Sequence, residues 1–196
     1  MSEAALSRLK QQFGAAILET SSSFGDETAV VDATRWKEIA LFLRDDSKLA
    51  FDMPIDLCGV DYPERSPRME VVLHVYSTSL RHRLRLKARV GDDEMNGAEL
   101  DSLVAVWSGV EWLERETYDM SGVTFRGHPD LRRILMYPEF EGHPLRRDYA
   151  ANRTQPLIPY RTESEAGVPL EKLAPFGPDE GMSFGRNPHL PSHSEN

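Results

Sequence analysis

Residues 81–90 read RHRLRLKARV, and no other stretch limits the fold so tightly. Leu84, Leu86, Ala88 and Val90 fall on one side of an extended chain, with Arg83, Arg85, Lys87 and Arg89 on the other. Side chains alternate across a strand, so this segment has to lie in a sheet with one apolar face and one cationic face. A row of like charges repels itself unless acidic groups stand opposite. Either an acidic partner covers that face, or carboxylates on adjacent strands balance it as a solvated surface. The sequence leaves both open.

Other segments fall into place around this strand. RMEVVLHVYST is β-rich and follows the turn-like DYPERSP. Upstream, Leu49, Phe51, Met53, Ile55 and Leu57 alternate with Asp52 and Asp56, predicting a half-buried strand in which Pro54 marks an edge or a bulge. TAVVDA predicts a short buried strand. Leu6, Leu9, Phe13 and Ile17 predict an amphipathic helix from about Ala4 to Leu18, broken by SSSFGD. Trp36, Ile39 and Leu43 predict a second helix with Thr34 as its N-cap. Beyond the GDDEMNG turn, Asn96 and Glu99 resemble a capping box. Two helical stripes follow: Leu100, Leu103, Val104 and Trp107, then Val110, Leu113, Thr117 and Met120. They predict one kinked helix or two, ended by Gly122.

The 196 residues suit one domain plus an appendage. Cys58 is the lone cysteine, which excludes an intrachain disulfide and a self-contained iron–sulfur cluster, and fits a cytosolic compartment. Free in an apolar strand, it reads as a small hydrophobe. The net charge of −9 argues against nucleic acid as a partner. The N-terminus carries no secretory-signal pattern, and no run approaches the ~20 apolar residues needed to cross a bilayer. Membrane contact is therefore expected to be indirect. After Tyr149 the composition shifts: Pro156, Pro159, Pro169, Pro175, Pro178, Pro188 and Pro191 interrupt a stretch without periodicity. Such a segment does not fold by itself. Its apolar residues, Leu157, Ile158, Tyr160, Leu170, Leu173, Phe176 and Phe184, favour an arm ordered along another subunit over a free tail. The expected organisation is a compact domain at 1–149 and an extended arm at 150–196.

The stretch GHPDLRRILMYPEFEGHPLRRDY says nearly the same thing twice. Metal ligation by His128 and His143 is poorly supported: they lie fifteen residues apart, without helical pairing or a cysteine partner, and each precedes a proline. Phosphate binding at a helix begun by Pro129 is opposed by Asp130, a built-in anion at the same turn. Carboxylates such as Glu114 and Glu116, two apart, diverge on a helix. Assembly remains. Glu111, Arg115 and Asp119 at four-residue steps predict a charge ladder on one helix face. Arg126, Arg132, Arg133, Arg146 and Arg147 interleave with Asp130, Glu139, Glu141 and Asp148. A guanidinium–carboxylate lattice of this kind fixes orientation, either between chains or as a network within one.

The segments WLERETYDMSGVTFRGHPDLRRIL and EGHPLRRDY, with DLCGVDYP upstream, resemble the signature of the C subunit of the proton-translocating NADH:quinone oxidoreductase, respiratory complex I. The resemblance covers most of residues 50–150; Ser121 departs from it, standing where a bulky apolar residue is common before the glycine. It implies an α/β (α+β) fold, a two-layer sandwich of a mixed β-sheet with helices. It also implies a non-catalytic place in the hydrophilic arm, on the cytoplasmic side of a bacterial inner membrane, beside subunits B and D that form the quinone pocket. No cofactor is expected in this chain; partner subunits carry FMN and iron–sulfur clusters. Members of the family also occur in membrane-bound hydrogenase complexes. Charge pattern and resemblance together nominate Glu114, Arg115, Glu116, Asp119, His128, Arg132, Arg133, His143, Arg146, Arg147 and Asp148 as interface residues. An independent metal-dependent enzyme using His128 and His143 is the remaining alternative.

Overall fold

A computed structural model describes residues 2–91 and 97–156. The expected arm from residue 157 onward, and Asn96 of the expected capping box, lie outside the described residues. Three helices, α1 (Ser2–Phe13), α2 (Trp36–Asp45) and α3 (Glu111–Ser121), accompany seven strands. The strands are β1 (Ile17–Ser23), β2 (Asp26–Val31), β3 (Met53–Asp61), β4 (Met69–Ser77), β5 (His82–Val90), β6 (Glu99–Asp101) and β7 (Thr124–Arg126). The first five form one sheet in the order β1-β2-β5-β4-β3, while β6 and β7 form a small parallel pair. Within the larger sheet β2 and β5 run parallel and all other pairs antiparallel, so it is a mixed sheet in a two-layer α+β sandwich.

The 81–90 alternation sets the layers. Leu84, Leu86, Ala88 and Val90 are buried in register with Val75, Leu73, Val71 and Met69 of β4. Ala5 and Leu9 of α1 and Trp36, Ile39, Ala40 and Leu43 of α2 belong to the same core. On the opposite face the cations are matched within the chain. Arg83 pairs with Asp26 at 2.5 Å, Lys87 with Glu70 at 2.7 Å, and Arg89 with Glu19 at 2.9 Å. Arg85 Nη1 donates to Thr28 Oγ1 at 3.3 Å. The adjacent strands β2 and β4 supply two of the balancing carboxylates and β1, one strand further out, the third.

Four expectations change. The first helix stops at Phe13, because Gly14 takes φ +49 and the chain turns through Gly14–Ala16 into β1. Ile17 and Leu18 are strand residues, and SSS extends β1 up to a two-residue Phe24-Gly25 turn with both φ positive. Thr34 does not cap α2: it lies in a 3-10 turn, Ala33–Arg35, capped by Asp32, whose carboxylate accepts the Thr34 amide and hydroxyl at 2.8 Å, and the N-cap position of α2 is Arg35, without a side-chain cap bond. Met53 and Ile55 face outward, about half exposed, because a bulge between Pro54 and Asp56 resets the alternation; Leu49 and Phe51 are buried ahead of the strand. Finally, the stripe from Leu100 to Trp107 is not helical. Leu100 lies in β6, and Leu103, Val106 and Trp107 close a turn through Val106 and Trp107 amides that donate to the Leu103 carbonyl. Three- and four-residue spacing cannot separate such a turn from a helix when Leu103, Val106 and Trp107 are buried alike.

Helix α3 covers the edge strand β3. Thr117 and Ser121, one turn apart, donate hydroxyls to the carbonyls of Leu57 at 3.1 Å and Gly59 at 3.5 Å. Four residues of helix rise about 6 Å and two residues of strand about 6.6 Å, so the two spacings match. A sheet edge is thereby closed by side chains. Gly59 permits the approach: a Cβ there would sit 2.9 Å from Ser121 Cβ and 3.1 Å from Thr117 Cγ2. The small Ser121 therefore makes a contact of its own against the strand. Gly59→Ala is expected to destabilise the chain by about 1–3 kcal/mol, read as a lower thermal midpoint, with partial recovery in the G59A/S121G double variant.

Candidate functional site

The signature segment, residues 127–149, has no helix or strand of its own and is held in place by polar contacts to α3 and β3. Asp119 organises the first half. It has no exposed surface, and its Oδ2 accepts the amides of Ile134 at 3.1 Å and of Leu135 and Met136 at 2.8 Å. Arg133 Nη1 donates to Asp119 Oδ1 at 2.6 Å, and its Nη2 to the Gly142 carbonyl at 2.9 Å. Burial pushes the Asp119 carboxyl up, but the Met136 amide, the Arg133 guanidinium and the two further amides outweigh it and hold it below the ordinary range. Arg115 extends along the same loop and donates to the carbonyls of Arg132 and Arg133 at 3.1 and 3.2 Å. The expected Glu111–Arg115–Asp119 ladder is therefore overturned: Arg115 is drawn to loop carbonyls and Asp119 points inward.

The two histidines brace the two ends of α3. His128 Nδ1 accepts the Asp130 amide at 3.0 Å, which leaves Nε2–H to donate to the Glu111 carbonyl at 3.1 Å. His143 Nδ1 lies 2.9 Å from the Asp119 carbonyl and donates to it. Burial, with lesser help from Arg133 and Arg146, lowers the His143 pKa and keeps it neutral at pH 7. Its ring packs on Gly122, where φ is +79 and an added Cβ would lie 2.7 Å from His143 Cδ2. Gly122 thus ends α3 as expected and also seats the second echo. Among the described residues no three His, Cys, Asp or Glu side chains are grouped to hold a metal ion.

A second carboxylate clamps the second half. Asp61, at the end of β3, accepts Arg68 Nε and Nη2 at 2.6 and 2.7 Å and the Arg147 amide at 2.8 Å. The bond from Arg68 is the main cause of its lowered pKa. Arg68 Nη1 also reaches Asp148 at 3.1 Å. Glu114, fully buried, accepts Ser102 Oγ at 2.6 Å and the Leu103 amide at 2.7 Å, tying α3 to the β6 turn. Burial raises its pKa, and those bonds offset the rise only in part. Burial likewise pushes the Cys58 thiol up. Residues 150–156 fold back on the loop: Gln155 Nε2 donates to Tyr149 Oη at 2.7 Å, and Arg153 pairs with Glu141 at 3.0 Å.

Of the nominated residues, Glu114, Arg115, Asp119, His128, Arg133, His143 and Asp148 thus make bonds inside the chain, while Glu116, Arg132 and Arg147 keep exposed side chains. Trp112, Leu135, Tyr137 and Leu145 are also exposed, the first by 67%.

The family model described as respiratory-chain NADH dehydrogenase, 30 Kd subunit, matches residues 29–155. The chain belongs to this family. The C subunit of the NADH-quinone oxidoreductase of Rhodopseudomonas palustris is 45% identical over 141 residues, 72% of this chain and 69% of that protein. The Roseiflexus protein of the same name is 48% identical over 143 residues, 73% of this chain and 80% of that one. Its Methylobacterium radiotolerans counterpart is 45% identical over 142 residues, 72% of this chain but 64% of that one. In three dimensions the chain is similar to one in the membrane-bound sulfane sulfur reductase, an archaeal respiratory membrane complex. That likeness has a TM-score of 0.65 at 20% identity, covering 77% of this chain and 86% of that one, and concerns the fold alone.

In this member of the 30 Kd family, the sequence reading missed Asp61, Arg68 and Gly59 as parts of the same site. A signal was present: Leu57, Gly59 and Asp61 share one strand face, so Asp61 is an acid at a core-facing position, and Glu114 is likewise a carboxylate on the buried stripe of α3. Asp119→Asn leaves Arg133 without its counter-charge and sets an amide NH2 either against the guanidinium or against the three loop N–H groups. A loss of about 3–5 kcal/mol at pH 7 is expected. The folded-state carboxyl titrates below its unfolded value of about 3.9, so its stabilisation is complete above that value and lost as pH falls through the lower folded pKa. The gap between wild-type and D119N thermal midpoints should therefore be widest above about pH 4–5 and close on acidification.

Proposed function

We propose that the chain is a non-catalytic structural subunit in the hydrophilic arm of a proton-translocating NADH:quinone oxidoreductase. In this reading it holds the subunits of the quinone pocket and iron–sulfur relay, subunits B and D among them, in register. The observation that carries the proposal is how the signature's reactive groups are used. The carboxylates of Glu114 and Asp119 and the ring nitrogens of His128 bond to the chain itself, a use that supports a motif shaping a surface over one acting on a substrate. Exposed residues of α3 and the signature segment include Trp112, Leu135, Tyr137 and Leu145 as well as Glu116, Arg132 and Arg147. Exposed aromatic and aliphatic groups interleaved with arginines are the composition of a protein–protein contact.

FMN and the clusters then belong to partner subunits. Electrons pass through those chains, and contact with the cytoplasmic side of a bacterial inner membrane is indirect. Among the described residues no helix is long and apolar enough to cross a membrane. The proline-rich C-terminal arm would extend the contact over neighbouring subunits.

Gentle detergent purification of the tagged chain should recover a large membrane-associated particle that couples NADH oxidation to quinone reduction. Recovery as a free monomer would contradict the proposal, and hydrogen evolution without quinone reduction would move the chain to a hydrogenase-type complex. Trp112→Glu should reduce the amount of assembled particle several-fold and leave turnover per particle unchanged.

A further inference from the structure

Arg146 is anomalous among the signature arginines. Arg133 is bonded at both ends of its guanidinium, and Arg132 and Arg147 lie in solvent. Arg146 has only 12% of its side chain exposed, yet its guanidinium donates no hydrogen bond among the described residues, and its Nε is buried without a partner. The nearest carboxylate oxygen, on Asp148, is 3.5 Å away, and that group is already held by Arg68 at 3.1 Å. A buried N–H without a hydrogen-bond acceptor is costly, and the cost falls away when an acceptor arrives.

The surroundings indicate what arrives. Arg146 lines a cleft of about 440 Å³ between the C-terminal end of α3 and residues 142–153, with Tyr118, His143, Asp148, Tyr149 and Arg153 as further walls. His143 is neutral and engaged on the Asp119 carbonyl, so Arg146 and Arg153 are the cations of the cleft. Arg153 is paired with Glu141 at 3.0 Å and lies over the Tyr149 ring, whereas Arg146 has only the 3.5 Å approach to Asp148, which leaves it the less matched of the two charges. Tyr149 stacks on Phe140 at 6.0 Å, and Phe140 meets Tyr137 edge-on at 5.5 Å, so an aromatic row runs from the cleft to the exposed surface. Leu145, next to Arg146 in the chain, is 63% exposed. A charged floor, aromatic walls and an apolar margin fit a short acidic side chain with its aliphatic stem better than a free inorganic anion.

We infer that this cleft receives an aspartate or glutamate side chain of a neighbouring subunit, which completes the hydrogen bonding of Arg146. The inference rests on the assembly reading above and names the chemistry of one contact within it. A guanidinium meeting a carboxylate in two parallel bonds fixes orientation as well as position.

The assembled complex carrying Arg146→Lys provides the test, since a water-soluble carbodiimide joins an ammonium to a carboxylate only where the two touch. Mass spectrometry is expected to find position 146 linked to an acidic residue of another subunit. A link confined to Asp148, a link to residues 157–196 of the same chain, no link from position 146, or a small anion seated on Arg146 in the intact complex would each overturn it. If R146K does not assemble, the isolated variant decides. A wild-type thermal midpoint, with R147K still assembling and at least a tenfold drop in assembled R146K, supports loss of a specific contact. A lowered midpoint makes Arg146 a folding residue and rejects the inference. Failure of the wild-type chain to co-purify with any subunit would reject the assembly reading itself.

Discussion

One carboxylate with no exposed surface, Asp119, decides whether the signature segment, the longest irregular stretch among the described residues, has a shape at all. Residues 127–149 bury little and form no ladder of their own, so their position depends on what their backbone polar groups can find. Three successive amides converge on one Asp119 oxygen while Arg133 neutralises the other. The charge can sit in the interior because four donors surround it, and removing any of them would leave an unmatched group in a dry place. Arg115, His128 and His143 then fasten the loop to the rest of α3 through backbone carbonyls. The helix is thus the frame on which the signature is mounted.

That frame is in turn fixed to the sheet. Hydroxyls of Thr117 and Ser121 close the β3 edge, and Asp61 at the end of the same strand receives the second half of the loop. The glycines are placed where backbone meets side chain: Gly59 under Ser121, and Gly122 under His143 with the left-handed φ that ends the helix. Sheet edge, helix and loop are thus joined by side-chain bonds into one surface. In the proposed docking role that bonding would matter, because a docking face that has to be ordered on binding loses affinity to that ordering.

Much of this was legible in the sequence, for physical reasons that differ by element. The alternation at 81–90 and the β-rich 68–78 gave β5 and β4 their faces, since burial on one side leaves a period of two that no other structure satisfies. Gly122 was readable as a helix end because only glycine takes that conformation without strain. Spacing failed where the turn at 103–107 mimics a helical stripe, and where the bulge at Pro54 turned Met53 and Ile55 outward. At the signature, the sequence showed that arginines and carboxylates are interleaved but not which pairs form. Asp119 could equally have lain on the exposed ladder with Arg115. Its actual partners lie 14 to 17 residues along the chain and are chosen by the path of a loop that has no periodicity to read.

Asp119 is expected to anchor the loop as firmly as the helix itself is anchored, and native-state hydrogen exchange of the Ile134, Leu135 and Met136 amides in the isolated wild-type chain measures this. These three amides should exchange as slowly as the central amides of α3 and open together with them. Exchange at free-loop rates while α3 stays protected would contradict it.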